Sequence, residues 1–170
     1  MRRNVLLLCV LLMSCVAGSS QSRVYWRSAT PDELSGFLPA RAVVGKERIE
    51  SELRTASGIV NQRGEMIASV LLITAGYAAD GRFSYYLLAQ HALTVGEVHL
   101  APGAYVVGWT RTDDGLKVHI FDAVTLTPRG DTLARPNPQS HRVISFHIWP
   151  PDQGSRIQIG RYTLPYRLDE

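Results

Sequence analysis

The chain has 170 residues, of which 45% are hydrophobic and 19% are charged, and this composition argues against extensive disorder. The formal net charge is +3, and loss of Arg2 and Arg3 with an export signal would leave 16 basic against 15 acidic side chains. Because scattered, nearly balanced charges form no basic patch, the composition also argues against a nucleic-acid partner.

The N-terminus has the layout of a secretory signal peptide. Arg2 and Arg3 form a positive n-region, residues 5–13 form an apolar h-region, and small residues predominate over residues 14–20. The apolar run is too short for a membrane-spanning helix, which needs about 20 apolar residues. The sequence therefore predicts an exported protein that is periplasmic, secreted, or anchored to a membrane as a lipoprotein.

Two cleavage sites are compatible with this signal. The Leu-Met-Ser-Cys motif at residues 12–15 resembles the lipobox of bacterial lipoproteins, in which the cysteine thiol is acylated after cleavage. This resemblance implies a signal over residues 1–14 and a lipid attachment site at Cys15. The Cys-Val-Ala run that ends at residue 17 is instead a small-x-small site for the ordinary signal peptidase, which implies a signal over residues 1–17.

The remainder of the chain is long enough for one domain. About 150 residues bury roughly two-thirds of their unfolded surface, so no second domain is needed. We predict a flexible tether over residues 18–22 and a single domain over residues 23–170. Cys9 and Cys15 are the two cysteines of the chain, so this domain must be stable without an internal disulfide.

One short helix is predicted near the start of the domain. Thr30 is a suitable N-cap, Pro31 suits the first helical position, and Glu33 completes a capping box with Thr30. Gly36 and Pro39 follow closely. The sequence therefore predicts about two helical turns, ending at residue 37 or 38.

Most of the remaining domain is predicted to form strands. Residues 49–59 have charges that would suit an exposed helix. The segment at residues 55–60 leads directly into a turn at residues 61–64, however, and this favours a strand. Residues 66–74 are nearly continuous in apolar residues, which predicts a central strand covered on both faces. Residues 24–26 are predicted to form either a first edge strand or a strap across the domain. Further strands are predicted at residues 82–89, 94–100 and 141–149, with Phe83, Tyr85 and Leu87 on one face of the first of these.

Residues 100–122 are predicted to form a β-hairpin, because Asp114-Gly115 lies between two strand-like runs and is a favoured pair for a tight turn. A two-residue loop at this pair places Trp109 opposite Ile120. A three-residue loop would shift the pairing by one residue and lose most of the apolar contact. With the two-residue loop, the residues that share one face are Tyr105, Val107, Trp109, Leu116, Val118 and Ile120.

The C-terminal part combines a predicted loop with further strands. Turn-forming residues at 127–130 and 135–138 predict a loop of some length. Beyond residue 150, the inward positions change parity, which predicts a bulge at Gly160. In the strand at 141–149, the inward residues are Ile144, Phe146 and Ile148, and the outward residues are His141, Ser145 and His147.

About eight strands at short, regular spacing and one short N-terminal helix predict an all-β fold, either an antiparallel β-sandwich or a partly open barrel. The L-x-P-G-x-Y motif at residues 100–105 resembles the hairpin entry of transthyretin-like, carboxypeptidase-regulatory-type domains. Residues 48–58 followed by residues 72–77 resemble a group of uncharacterised exported bacterial proteins. These resemblances imply an exported sandwich domain without indicating an activity.

Residues with catalytic or metal-binding chemistry do not form a recognisable motif. The five histidines have neither the i, i+2 strand spacing nor the i, i+4 helix spacing of a chelate. Ser145, His147 and Asp122 could be assembled into a triad, but the G-x-S-x-G context is missing. Four aromatic residues could line a sugar-binding platform, although aromatics at alternating strand positions are more often core: Tyr85, Tyr86, Trp109 and Trp149.

The sequence therefore predicts an exported, non-catalytic module of the bacterial cell envelope that binds or assembles with a protein or a small ligand. No catalytic residue, metal ligand or cofactor is assigned, and a membrane contact is predicted only through a lipid anchor at Cys15. One alternative is a small envelope hydrolase with its site on residues 131–140. Another is an accessory subunit that pairs with a partner chain through a sheet edge.

Overall fold

A computed structural model describes residues 24–73, 83–138 and 143–169. Within these segments the predicted antiparallel all-β fold with one short α-helix is confirmed, but there are thirteen strands rather than about eight. None of the described helices is long and apolar enough to span a membrane. The helix is Pro31–Phe37 (α1), a 3₁₀ turn is Pro151–Gln153, and the strands are Trp26–Ser28 (β1), Arg41–Val44 (β2), Glu47–Asn61 (β3), Met66–Ile73 (β4), Tyr85–Ala89 (β5), Leu93–Val95 (β6), Val98–Leu100 (β7), Gly103–Thr112 (β8), Gly115–Asp122 (β9), Pro128–Pro136 (β10), Ile144–Trp149 (β11), Arg156–Gly160 (β12) and Tyr162–Leu168 (β13).

The strands form one sheet that curls until its two ends nearly meet. Their order is β1-β3-β4-β5-β8-β9-β10-β13-β12-β11, and neighbouring strands are antiparallel. β2 extends β3 as a hairpin, and the β6–β7 hairpin pairs with β13. Of the two predicted architectures, this nearly closed sheet corresponds to the partly open barrel.

Hydrogen bonds at Ser57 join the two ends of the sheet. The register of β3 against β4 shifts between Glu52 and Ser57, at the point where β11 approaches β3. The Ser57 Oγ accepts a hydrogen bond of 3.0 Å from the N–H of Ile148. The same hydroxyl lies 3.0 Å from Nδ1 of His147. A single serine side chain therefore links β3 to β11.

Two apolar clusters lie on opposite sides of the sheet. The inner cluster draws residues from most strands, and a space of about 10 Å³, the size of one water molecule, lies among its side chains. The outer cluster packs α1 and β2 against β4, β5 and β8. Ile67 belongs to the inner cluster and Ala68 to the outer one, which confirms that β4 is covered on both faces.

The helix α1 has the bounds and the cap that the sequence predicts. The N–H of Glu33 donates to Oγ1 of Thr30 at 3.3 Å, and the N–H of Thr30 donates to the Glu33 carboxylate at 2.8 Å. Arg27 binds both oxygens of the same carboxylate, at 2.8 and 2.6 Å. Leu34 and Leu38 are buried in the outer cluster, so the cap positions a helix that covers the sheet.

The hairpin of β8 and β9 is confirmed, but its predicted register is wrong by two residues. Trp109 lies opposite Val118 rather than Ile120, and the loop is Asp113-Asp114. Gly115 lies in β9 with a φ of 151°, and a Cβ there would be 2.2 Å from the carbonyl oxygen of Ala134 in β10. The glycine is thus required by the approach of a third strand. Because a shift of two preserves side-chain alternation, the predicted set of residues on the inner face remains correct.

Two glycines turn the chain where the sequence predicts a different structure. Gly96, with a φ of 58°, begins the turn between β6 and β7, so residues 94–100 form two strands instead of one. Gly160, with a φ of 61°, is followed by the turn into β13, where Ile159 pairs directly with Tyr162, so this turn explains the change of parity. An irregularity lies instead on the β11 side, where the register shifts by one residue between the pairs Ile144–Gly160 and His147–Gln158. Glycine adopts a positive φ without steric cost, so both positions suit a tight turn.

The segment predicted as a loop at residues 127–138 is mainly a strand. β10 pairs first with β9 and then with β13. Its prolines, Pro128 and Pro136, are its terminal residues, where proline is tolerated in a sheet. The register shift between Pro128 and Gly130 accommodates the irregular start of the strand.

Candidate binding site

A groove of about 430 Å³ lies between the β2–β3 turn and the turn that follows β9. Small-molecule sites range from about 300 to 1,000 Å³, so the groove is large enough for a small ligand. Phe83 was predicted to share a face with Tyr85 and Leu87 but instead packs in the outer cluster and lines this groove. The other apolar lining residues are Val44, Ile49, Val124 and Leu126, and the charged ones are Lys46 and Glu47.

The Asp122 carboxylate shapes one wall of the groove. Its Oδ1 accepts hydrogen bonds from the N–H groups of Val124 and Thr125, at 3.0 and 2.9 Å. Its Oδ2 accepts one from Arg129 at 2.7 Å. The Thr125 N–H bond and then the Arg129 bond lower the pKa of Asp122 to about 2. Asp122 is therefore a turn-stabilising carboxylate.

Leu126 has an unfavourable backbone conformation in this wall. Its φ is 58°, and the left-handed region costs a residue with a Cβ roughly 1–2 kcal/mol. The N–H of Leu126 donates to the Asp122 carbonyl at 3.0 Å, and the N–H of Asp122 donates to the Thr127 carbonyl at 2.9 Å. The turn is thus held by hydrogen bonds at both of its ends.

The β2–β3 turn packs directly against this wall. The N–H of Gly45 donates to the Ala123 carbonyl at 2.7 Å. Gly45 has a φ of 61°, and a Cβ there would lie 3.0 Å from Cδ1 of Leu126. Glycine at this position satisfies the turn and leaves room for the leucine. The two walls are consequently preformed and joined to each other.

The sequence contains only weak signals for this groove. Gly45-Lys46 marks a turn, but its partner segment is 78 residues further along the chain, and no local pattern predicts that contact. The exposed fractions of Val124 and Leu126, 60% and 36%, become visible only in the folded chain. A groove with apolar walls and few charged groups can bind a ligand by excluding water from apolar surface.

A second cluster lies on the solvent face of β8, β9 and β10. His119 Nε2 is 2.8 Å from Oγ1 of Thr110, and His119 Nδ1 is 2.8 Å from Oδ1 of Asp131. Lys117 Nζ lies 2.9 Å from Oδ2 of Asp131, and Lys117 first and His119 second lower the pKa of this aspartate. The order hydroxyl, imidazole, carboxylate is that of a catalytic triad. The sequence analysis missed this triplet, since finding it requires the registers of two strand pairs.

The triad considered from the sequence is not assembled. His147 was predicted to face solvent, but it is half-buried and bonds to Ser57. Burial, and then the charge of Arg156, lower its pKa. Asp122 is bound to Arg129, and Ser145 lies on an exposed part of β11. Ser145 and His147 thus share β11, whereas Asp122 ends β9 and is engaged by Arg129.

The four candidate platform aromatics do not form one surface. Tyr85 stacks in the inner cluster against Trp109 and Phe146, with ring centroids 5.5 and 4.8 Å apart. Tyr86 lies in the outer cluster. Trp149 packs against His147 at 4.5 Å, and the Arg156 guanidinium lies 4.6 Å from its ring. The positions of these aromatic side chains are explained by their packing against neighbouring side chains.

His99 and His91 both contact Asp169, and Nδ1 of His91 also lies 3.4 Å from Oε2 of Glu65. His99 Nδ1 is 2.8 Å from Oδ2 of Asp169, and His91 Nε2 is 2.8 Å from the Asp169 carbonyl oxygen. Across residues 24–73, 83–138 and 143–169, no group of three or more potential metal ligands occurs. His141, Cys15, the predicted signal and the predicted tether lie outside the described residues.

Comparisons of the chain with protein-family models, with curated proteins and with solved structures found no match.

Proposed function

We propose that the chain is an exported, non-catalytic module of the cell envelope that binds a small apolar ligand in the groove between the β2–β3 turn and the turn after β9. The observation that carries this proposal is the preformed apolar wall, in which Gly45 and Leu126 both have positive φ and pack against each other. Strained backbone that the surrounding structure maintains often occurs at functional sites.

The packing of the sheet also favours an outer site. The space found among the described side chains of the inner cluster is about 10 Å³, so a ligand larger than water would have to displace those side chains. The groove of about 430 Å³ requires no such displacement. Ligand binding at the groove is therefore compatible with a rigid fold.

Binding can be tested with N-phenyl-1-naphthylamine, a neutral apolar dye whose fluorescence rises when it leaves water. We expect the wild-type protein to bind the dye and Val124→Asp to weaken binding at least tenfold, because a charge would enter an apolar wall. Val143→Asp is the matched control, since Val124 and Val143 are 60% and 68% exposed and Val143 lies outside the groove. Equal binding by all three proteins would refute the proposal.

Export and acylation form a separate part of the proposal. Their support is the signal-like sequence at residues 1–20 and the lipobox-like motif that ends at Cys15. Intact mass of the protein purified from membranes should include acyl chains that are absent in Cys15→Ala. A mature chain that begins near Gly18 and carries no lipid would instead indicate ordinary signal cleavage.

A small hydrolase is the second candidate, favoured by the Thr110–His119–Asp131 hydrogen bonds. The Thr110 hydroxyl would attack an ester carbonyl and pass its proton through His119 to the departing alkoxide, and water would then release the acyl group. With p-nitrophenyl acetate, this reaction should acetylate Thr110 and be lost in Thr110→Val and His119→Gln. Thr112→Val on the same strand is the control, and unchanged turnover in the first two variants would reject the hydrolase.

A further inference from the structure

We infer that the ligand of the groove is a small amphiphilic carboxylate, with its tail against Phe83 and Leu126 and its head group at Lys46. This inference rests on the proposed function, because it specifies the ligand class of the same site. It combines the apolar lining of the groove with the position of Lys46, which forms no ion pair within the described segments.

The β2–β3 hairpin separates its charges between two faces. Arg41 pairs with Glu50 across the hairpin, and Arg48 lies on the same face as both. Successive side chains of a strand alternate, so this face points away from Val44 and from the groove. Lys46 lies in the turn itself and lines the groove. Of the basic residues of this hairpin, the one that lines the groove is therefore Lys46.

Lys46 is available to a ligand. The ion pairs found in the described segments involve other basic residues, and Lys46 is exposed. Glu47, the other charged lining residue, already has an interaction of its own. A carboxylate at the open side of the groove would supply a counter-ion for Lys46 without leaving the solvent. The attraction is that of an exposed ion pair, which is modest and is screened by salt.

The apolar lining accounts for the tail. Phe83 packs edge-to-face on Phe121, with ring centroids 5.5 Å apart, and presents a fixed surface to the groove. Leu126 forms the facing wall, held by its contact with Gly45. Transfer of an alkyl chain from water to these walls supplies the main driving force, and Lys46 supplies the preference for an anion.

Octanoate and 1-octanol separate these two contributions, because they share a tail and differ in the head group. Each is titrated below its aggregation concentration against the dye bound to wild-type protein, Lys46→Gln and Arg48→Gln. We expect Lys46→Gln to weaken octanoate about two- to fivefold, the range for an exposed ion pair, and to leave 1-octanol unchanged. Arg48→Gln removes the same charge from the opposite face of the hairpin and should change neither affinity.

The outcomes distinguish the inference from the proposed function. A loss of octanoate affinity that is specific to Lys46→Gln and shrinks at high salt supports the inference. If Lys46→Gln leaves octanoate unchanged or weakens 1-octanol equally, the inference is wrong, although binding of the dye would still support the proposed function. If neither octanoate nor 1-octanol displaces the dye, the groove holds another kind of occupant, such as an apolar peptide, and the inference is also overturned. Dye binding that is unaffected by Val124→Asp rejects the proposed function itself.

Discussion

Ser57 and Ser69 face each other across β3 and β4, and both are buried. The Ser57 hydroxyl accepts a hydrogen bond from the N–H of Ile148 and contacts His147. The Ser69 hydroxyl has no hydrogen-bond partner in the described part of the chain. The same residue type therefore contributes differently at two adjacent positions. A buried polar group stabilises a protein only when a partner compensates for its lost hydration.

Replacing each serine by alanine should separate these roles. Ser57→Ala leaves the Ile148 N–H without its acceptor, so we expect the free energy of unfolding to fall by about 1–3 kcal/mol. Ser69→Ala removes an unpartnered hydroxyl and should leave stability unchanged or slightly higher. Urea unfolding followed by tryptophan fluorescence measures both values. Equal losses in the two variants would show that Ser57 does not hold the ends of the sheet together.

Gly58, the next residue of β3, is required by close strand packing. A Cβ there would lie 2.6 Å from Cβ of Ala68 and 2.7 Å from the carbonyl oxygen of Ile67. Gly58→Ala should therefore destabilise the protein by about 1–3 kcal/mol through overpacking. Gly36→Ala in α1 is the control, because that Cβ meets no atom within 4 Å and alanine favours a helix by up to about 1 kcal/mol. The midpoint temperature of thermal unfolding should fall in Gly58→Ala and rise in Gly36→Ala. A Gly58→Ala variant as stable as the wild-type protein would contradict the observed packing.

At the scale of elements, the turn after β9 depends on one ionised carboxylate. Asp122 accepts hydrogen bonds from two backbone N–H groups and from Arg129, which also anchors the start of β10. Its pKa is lowered from 3.8 to about 2, so the ionised form is favoured in the folded state. This contribution to stability is complete above the unfolded value of 3.8 and is lost as the pH falls toward 2.

Asp122→Asn should test this dependence, because it keeps an acceptor for the backbone N–H groups and removes the charge opposite Arg129. We expect a loss below about 1 kcal/mol at neutral pH, as for a largely solvated ion pair, and no difference from wild type near pH 2. Urea unfolding between pH 7 and pH 2 measures the difference. Asp113→Asn in the β8–β9 turn is the control, and a similar pH-dependent loss there would point to a general charge effect.

At the scale of the whole molecule, the nearly closed sheet depends on contacts between distant parts of the chain. The hydrogen bond from Ile148 to Ser57 joins residues 91 positions apart. His147, beside it, has a pKa below 6.5, because burial and then the Arg156 charge disfavour the protonated ring. The unfolded chain takes up this proton more readily, so the stability contributed by His147 is present above pH 6.5 and falls as the pH decreases below that value.

The closure of the sheet should therefore weaken in mild acid. We expect the free energy of unfolding of the wild-type protein to fall between pH 7 and pH 5, and the fall to be smaller in His147→Gln. Equilibrium unfolding at several pH values gives the slope of the unfolding free energy against pH for each protein. The difference between the two slopes separates the contribution of His147 from that of the other histidines. Identical slopes would mean that His147 does not couple proton binding to folding.

Some elements follow from local sequence with little ambiguity. The box of Thr30, Pro31 and Glu33 predicts the helix correctly, because its hydrogen bonds join residues three positions apart. Continuous apolar residues predict β4 as a strand covered on both faces. Alternation predicts which side chains of the β8–β9 hairpin face the core, although it does not distinguish registers that differ by two residues. The correct register depends on Gly115, which meets β10 rather than its own hairpin.

The groove was missed for the same reason. The sequence-based alternative placed a site on residues 131–140, whereas Asp131 lies in β10 and residues 139–140 lie outside the described segments. Gly45 reads as an ordinary turn glycine until Leu126 packs beside it. The positive φ of Leu126 has no signal in the sequence, because the surrounding hydrogen bonds impose it on a residue that does not favour it.

The sequence by itself determined the all-β class, the capped helix and the inward faces of the main strands. These properties depend on periodicity and on hydrogen bonds between residues close in the chain. Only the tertiary structure decided the number of strands, the register of the hairpin, the closure through Ser57 and the groove beside Lys46. Each of these depends on a contact between segments far apart in the sequence, and local patterns do not specify which distant partners meet.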